Sequence, residues 1–244
     1  MPSSHPDNAS TPQTPQPACA TRDIAVGRVL TVAGMMAAMA GYINSLMLIE
    51  FGLPVSQMTG IASHLSDSGF HFEWSAFGLS AALLLSFIFG AFLSALIIGH
   101  SQYKEDRRYG YALLLNTLIL ILAAVMASFV NLLALIFAAL ACGLQNAMVA
   151  SYKGLQIRTT HVTGITTDIG VSLANRLRNR TQFTWQTGLL FTLLFSFILG
   201  GLLGILAFQW FHYEALMAPA LLNGVLALLY FRRFQQSLKP STKG

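Results

Sequence analysis

Charge is the scarcest commodity in this sequence. Only 9% of its 244 residues are Asp, Glu, Lys or Arg, against about a quarter in a soluble domain. With 55% hydrophobic residues and a mean hydropathy of +0.61, a water-soluble globule is excluded. Cysteine is nearly missing too. Cys19 lies in a polar tail and Cys142 in an apolar run, which excludes a disulfide framework and any zinc spacing. No apolar run precedes Cys19, so it does not read as a lipid-attachment site. Gly-x-Ser-x-Gly, His-Glu-x-x-His and the phosphate loop are all absent. Ser63 and His64 are adjacent, and neighbouring helical side chains diverge, so they are not a nucleophile–base pair. The net charge of +5 is not a nucleic-acid footprint, because the basic residues flank apolar spans instead of forming one patch with aromatics. These absences predict a chain that is not an enzyme, binds no metal, cofactor or nucleic acid, and has the lipid bilayer as its first partner.

What is present is apolar length. A hydrocarbon core of about 30 Å needs roughly 20 apolar residues per helix. On that measure spans are expected near Val26–Ile49, Phe77–Ile98, Tyr111–Phe129, Leu132–Ala150, Trp185–Phe208 and Leu216–Phe231. Residues 1–24, rich in Pro, Ser, Thr and Gln, read as a disordered tail, and residues 235–244 as a basic C-terminal tail. Six spans sort the cations to one side. The N-terminus, the second-to-third loop, the fourth-to-fifth loop and the C-terminus together hold all 14 Lys and Arg. The other side holds Glu50, Asp67, Glu73 and Glu214. By the positive-inside rule both termini are cytoplasmic, in a bacterial inner membrane.

The chain also repeats itself. Asn44 and Gly52 match Asn146 and Gly154 at a spacing of 102, and Thr59-Gly60-Ile61 matches Thr163-Gly164-Ile165 at 104. Leu85–Gly90 matches Phe195–Gly200 at 110, and Leu114-Leu115-Asn116 matches Leu221-Leu222-Asn223 at 107. The drift is assigned to loops, notably a basic insertion around Arg176 to Arg180. Residues 25–129 and 130–234 are therefore expected to be two copies of three spans each. An odd number inverts the second copy in the membrane, an arrangement many secondary transporters share. Ser86, Gly90 and Ser94, like Ser196, Gly200 and Gly204, stand four apart and read as packing seams. Asn116 and Asn223 read as bonds to neighbouring helices.

The chemistry concentrates in Gly41–Ser68 and Gly143–Gly170. Gly52, Pro54 and Ser56 interrupt the first helix, and Ser56 or Thr59 is placed to cap a short helix, Thr59–Ser68. In the second copy Gly154 breaks the chain, and Thr159, Thr160 or Thr163 is placed to cap Gly164–Ser172. A short helix begins with free amides and a positive dipole end, suited to an anionic or polar group. Candidate solute-binding residues are thus Asn44, Thr59, Gly60 and His64 in one copy and Asn146, Arg158, Thr163, Gly164 and Asp168 in the other. Each has a plainer reading. The stretches serve equally as interfacial loops, the two asparagines as partners of the broken backbone, His64 and Asp168 as wetted interfacial groups, and Arg158 as a topology anchor.

At these stretches the chain resembles the YoaK-like family, small bacterial integral membrane proteins of unknown function. The resemblance runs from about Ala25 to Phe234 and is sharpest at GLQNA (Gly143–Ala147) and RTTHVTGITTDIG (Arg158–Gly170), with an echo at QMTGIASHLSD (Gln57–Asp67). Many members carry Met-Thr-Gly-Asn at both copies. Here Ile61 and Ile165 stand in place of that Asn, and no role for its amide carries over. The resemblance implies the six-span fold and no substrate. The expectation is an all-α integral membrane protein of two inverted three-helix repeats, with short half-helices after the first and fourth spans. Its leading function is transport of a small polar or anionic solute, with a homodimer plausible by size. The rival is a non-transporting sensor or assembly factor.

Overall fold

The computed structural model describes residues 26–99, 106–150, 159–179, 182 and 184–237. The N-terminal tail, most of the C-terminal tail, Cys19 and Arg158 lie outside these. The described residues form eight α-helices: α1 Val26–Phe51, α2 Met58–Phe70, α3 Trp74–Ile98, α4 Arg107–Ala127, α5 Asn131–Ala150, α6 Val162–Asn179, α7 Trp185–Phe211 and α8 Met217–Ser237. A 3-10 segment, His212–Leu216, joins the last two. No strand occurs among the described residues. Five helical runs are long and apolar enough to cross a membrane; the fifth, Trp185–Gln235, is 51 residues and contains that 3-10 break.

The outside of the bundle is apolar. On α3, Leu85, Ile88, Phe89, Phe92 and Leu96 are all more than half exposed. Contiguous exposed apolar surface of this extent does not survive in water and marks a lipid-facing wall. The counterparts 110 residues on, Phe195, Ile198, Leu199, Leu202 and Leu206 of α7, are exposed likewise. The interior is built on α1 and α5, whose small and apolar residues are buried along most of their length.

Two helix pairs make the closest contacts, α1 with α7 and α3 with α5. Both depend on glycine. A Cβ at Gly90 would overlap the carbonyl of Leu140, and one at Gly143 the carbonyl of Phe87. Across the other pair, a Cβ at Gly200 would overlap the carbonyl of Ala38, and one at Gly41 the carbonyl of Phe197. The seams expected on the Ser-Gly-Ser and Ser-Gly-Gly triplets are therefore real, and they let backbones meet backbones. Asn116 Nδ2 approaches Gln145 Oε1 at 3.5 Å, while neither amide atom of the buried Asn223 has a partner among the described residues. The expected interhelical bond forms at best weakly at the first and is not seen at the second.

After α1 the chain turns back. Gly52 takes a positive φ of 71°, and Asn44 Oδ1 accepts from the backbone N–H of Ser56 at 3.1 Å and from its hydroxyl at 2.8 Å. Asn44 lies seven residues before the end of α1, so Ser56 sits about 10 Å back along that helix. The helix that follows, α2, starts at this depth and packs on α3. Two expectations need correction. Neither Ser56 nor Thr59 caps α2: Gln57 occupies the cap position and gives no side-chain bond, the Ser56 hydroxyl donates to Asn44, and Thr59 already lies in the first turn. The basic insertion is not all loop: Arg176 and Arg178 lie in the last turn of α6, where positive charge complements the helix dipole.

Candidate functional site

The starts of α2 and α6 meet at one cavity of about 370 Å³. From the approach to α2 come Ser56, Gln57, Met58 and Thr59; from the approach to α6, Thr160, His161, Val162 and Thr163. These are four consecutive residues and their counterparts 104 positions later. Phe87 of α3 and Asn146 of α5 complete the wall. No carboxylate, lysine or arginine lines it among the described residues, and His161 is its one titratable side chain.

Each helix presents its first turn here. In α2 the amides of Gly60 and Ile61 turn back to the carbonyl of Gln57, and no side chain caps the residues before them. In α6 the amide of Ile165 bonds the carbonyl of His161. Both helices therefore direct the positive end of their dipole at the cavity. Gly164 has a definite steric reason: a Cβ there would overlap the His161 ring. A Cβ at Gly60 would meet only Pro54 Cγ, at 3.4 Å. Ile61 and Ile165 are both buried and anchor the first turns to the protein.

The predicted residues separate into three groups. Thr59, Thr163 and Asn146 line the cavity, with Gly60 and Gly164 beside them in the same helix turns. Asn146 Oδ1 is closed off from solvent and has no partner among the described residues. Asn44, its counterpart, is occupied with Ser56 and is not among the lining residues. His64 and Asp168 lie on exposed faces of α2 and α6 and are not among the lining residues. Arg158 lies outside the described residues. Thr159 does not cap α6; its hydroxyl is buried without a partner among them. His161 and Gln57 were missed, and Thr160 was expected only as a cap. Extending the 104-residue match three positions upstream of Thr59 and Thr163 would have found all three.

No curated protein matches the chain, and no solved structure does. Among family models, the one described as Protein of unknown function (DUF1275) matches residues 32–229. That span takes in every helix described above, from the body of α1 into α8, and it is consistent with the resemblance drawn from the Thr-Gly stretches. The chain belongs to the DUF1275 family, whose function is not assigned.

Proposed function

We propose that this chain is an inner-membrane permease that carries a small polar or anionic solute through the cavity between α2 and α6. The observation that carries the reading is the lining: the same four positions of both copies face one space. In an inverted repeat such a site can be reached from either side. Non-helical backbone at membrane depth is stable only inside protein or along a watery cavity, and the Asn44–Ser56 bonds hold the chain break at that depth. Paired helix starts without a lining carboxylate favour an acceptor-rich solute.

Several observations support six spans in two inverted copies, with both termini cytoplasmic and a YoaK-like fold. The 51-residue run is about 77 Å long if continuous, more than twice a bilayer core. It is broken at His212, where φ is 47°, so it is read as two crossings. The glycine contacts come in equivalent pairs, Gly41 on Phe197 with Gly143 on Phe87, and Gly200 on Ala38 with Gly90 on Leu140. A Cβ built on Gly224 would lie 3.5 Å from Thr117 Cγ2 where α4 packs on α8, and these two residues are themselves counterparts at the 107-residue spacing. Contact between counterparts belongs on a two-fold axis. By analogy with transporters of twice the size, we extend the reading to a homodimer.

Purified protein in liposomes tests the function. Uptake of candidate small anions and polar solutes should depend on the protein, and Gly60→Leu and Gly164→Leu should each abolish it without loss of folded protein. Cys at position 59 should label from outside and Cys at 163 from inside, and solute should protect both. Full uptake by both Leu variants would remove the cavity from the mechanism. A solute that binds and never crosses would assign the chain to the sensor or assembly class instead.

A further inference from the structure

A second recess opens at the opposite side of α1 from its α7 seam. It lies where the start of α1, the start of α4 and the end of α8 come level. One part has a volume of about 350 Å³ and is walled by Val32, Met36, Leu113 and Leu229, with Arg28 and Arg233 at its rim. It continues past Val32, Met36 and Leu113 into a narrower recess of about 60 Å³ toward Met148. The gap exists because α1 and α8 barely touch, whereas α4 and α5, their counterparts, pack along much of their length. From Arg28 to Met36 is about 12 Å along the helix, most of the depth of one leaflet's hydrocarbon.

The charges point one way. Among the described residues neither Arg28 nor Arg233 has a carboxylate partner. Asp106, at the start of α4, is paired with Arg108 at 3.4 Å, and its backbone carbonyl accepts from the Tyr230 hydroxyl at 2.9 Å. Two guanidinium groups without a carboxylate partner among the described residues, at the mouth of an apolar slot, match one ligand chemistry: a phosphate-bearing head with a hydrocarbon tail. We propose that this slot binds an acidic phospholipid, its head between Arg28 and Arg233 and one acyl chain against Val32, Met36 and Leu113. Arginine suits the head because its planar fork bonds phosphate bidentately. The inference does not depend on the chain being a transporter.

The test is mass spectrometry of the intact, detergent-purified full chain, titrated with phosphatidylglycerol or with phosphatidylcholine of the same acyl chains. One arginine at an acidic membrane surface contributes about a factor of five, so with two of them phosphatidylglycerol should bind about twenty-five-fold more tightly. Arg28→Gln with Arg233→Gln should reduce the preference to about two-fold, and Arg28→Lys with Arg233→Lys should largely retain it. Val32→Trp, which fills the slot without touching the charges, should lower occupancy by both lipids. Equal binding of the two lipids by the unaltered chain would overturn the proposal, as would an unchanged preference in the Gln variant. Displacement of the lipid by inorganic phosphate alone would show a free-anion site instead. Lipid binding that appears only when residues 1–25 are deleted would make the chain's own tail the occupant, and would equally overturn it.

Discussion

Two asparagines in equivalent places do different work. Asn44 closes the return of the chain by accepting two bonds from Ser56 in a buried setting. Removing it leaves a buried amide N–H without a partner, which costs about 1–3 kcal/mol. Asn44→Ala should therefore lower the thermal midpoint of the detergent-solubilised protein by several degrees. Asn146 has an unpartnered carbonyl oxygen at the cavity wall, so Asn146→Ala should leave that midpoint unchanged or raise it slightly while weakening solute binding. Glycine gives a matching contrast. At Gly164 a Cβ displaces the His161 ring, whereas at Gly60 it meets Pro54 at ordinary contact distance. Gly164→Ala should reduce uptake several-fold and Gly60→Ala should be nearly silent, both read in the same liposome assay. If the two behave alike, the His161 ring has no part in shaping the site.

Among the elements, the glycine seams set the packing of both tight helix pairs. A methyl group forced between two backbones costs about 1–3 kcal/mol. Gly143→Ala and Gly41→Ala should each destabilise the protein by that order, measured as loss of folded material on heating in detergent. Gly78 and Gly188, whose Cβ positions are open, should tolerate the same change. How much of this was readable beforehand differs by element. Long apolar runs announced α1, α3, α4, α5 and α7 to within a few residues, because lipid imposes both length and composition on a span. The small-residue spacing announced the seams, but not that α3 would pack on α5 and α7 on α1, since spacing carries no partner identity. The start of α6 was placed two residues late, and its last two turns, after Ser172, were taken for loop. Its sequence is nearly as polar as a loop, and only Ile165 and Ile169 are buried along it. The Thr-Gly breaks were legible as the candidate centre, and Thr59 and Thr163 do line one cavity. His161 and Gln57 were not, because a lone His or Gln beside a break has no signal until the two copies are laid over each other.

For the whole molecule, the sorting of cations predicts an orientation. Reporter fusions after Phe51 and Phe211 should read periplasmic, and fusions after Ser101 and Lys153 cytoplasmic, as alkaline phosphatase and fluorescent-protein activity would show. A cytoplasmic reading at Phe51 would undo the inversion of the two copies, and with it access to one cavity from both sides.

The crossed pairing of helices has a consequence for how the protein is made. α1 leaves the ribosome about 160 residues before α7, the helix whose backbone it must touch. At about 5–20 residues per second that is a wait of roughly 8–30 s in the bilayer. During that time the groove around Gly34 and Gly41 faces lipid or a chaperone, and the groove on α3 waits for α5 in the same way. A fragment ending in the Ser128–Val130 turn contains neither tight pair, so residues 1–130 expressed alone should be degraded. The same fragment co-expressed with residues 131–244 should survive and co-purify with it. Survival of the pair and loss of the lone fragment would make biogenesis an obligate joining of two halves, which the short turn between α4 and α5 keeps in one chain until they meet.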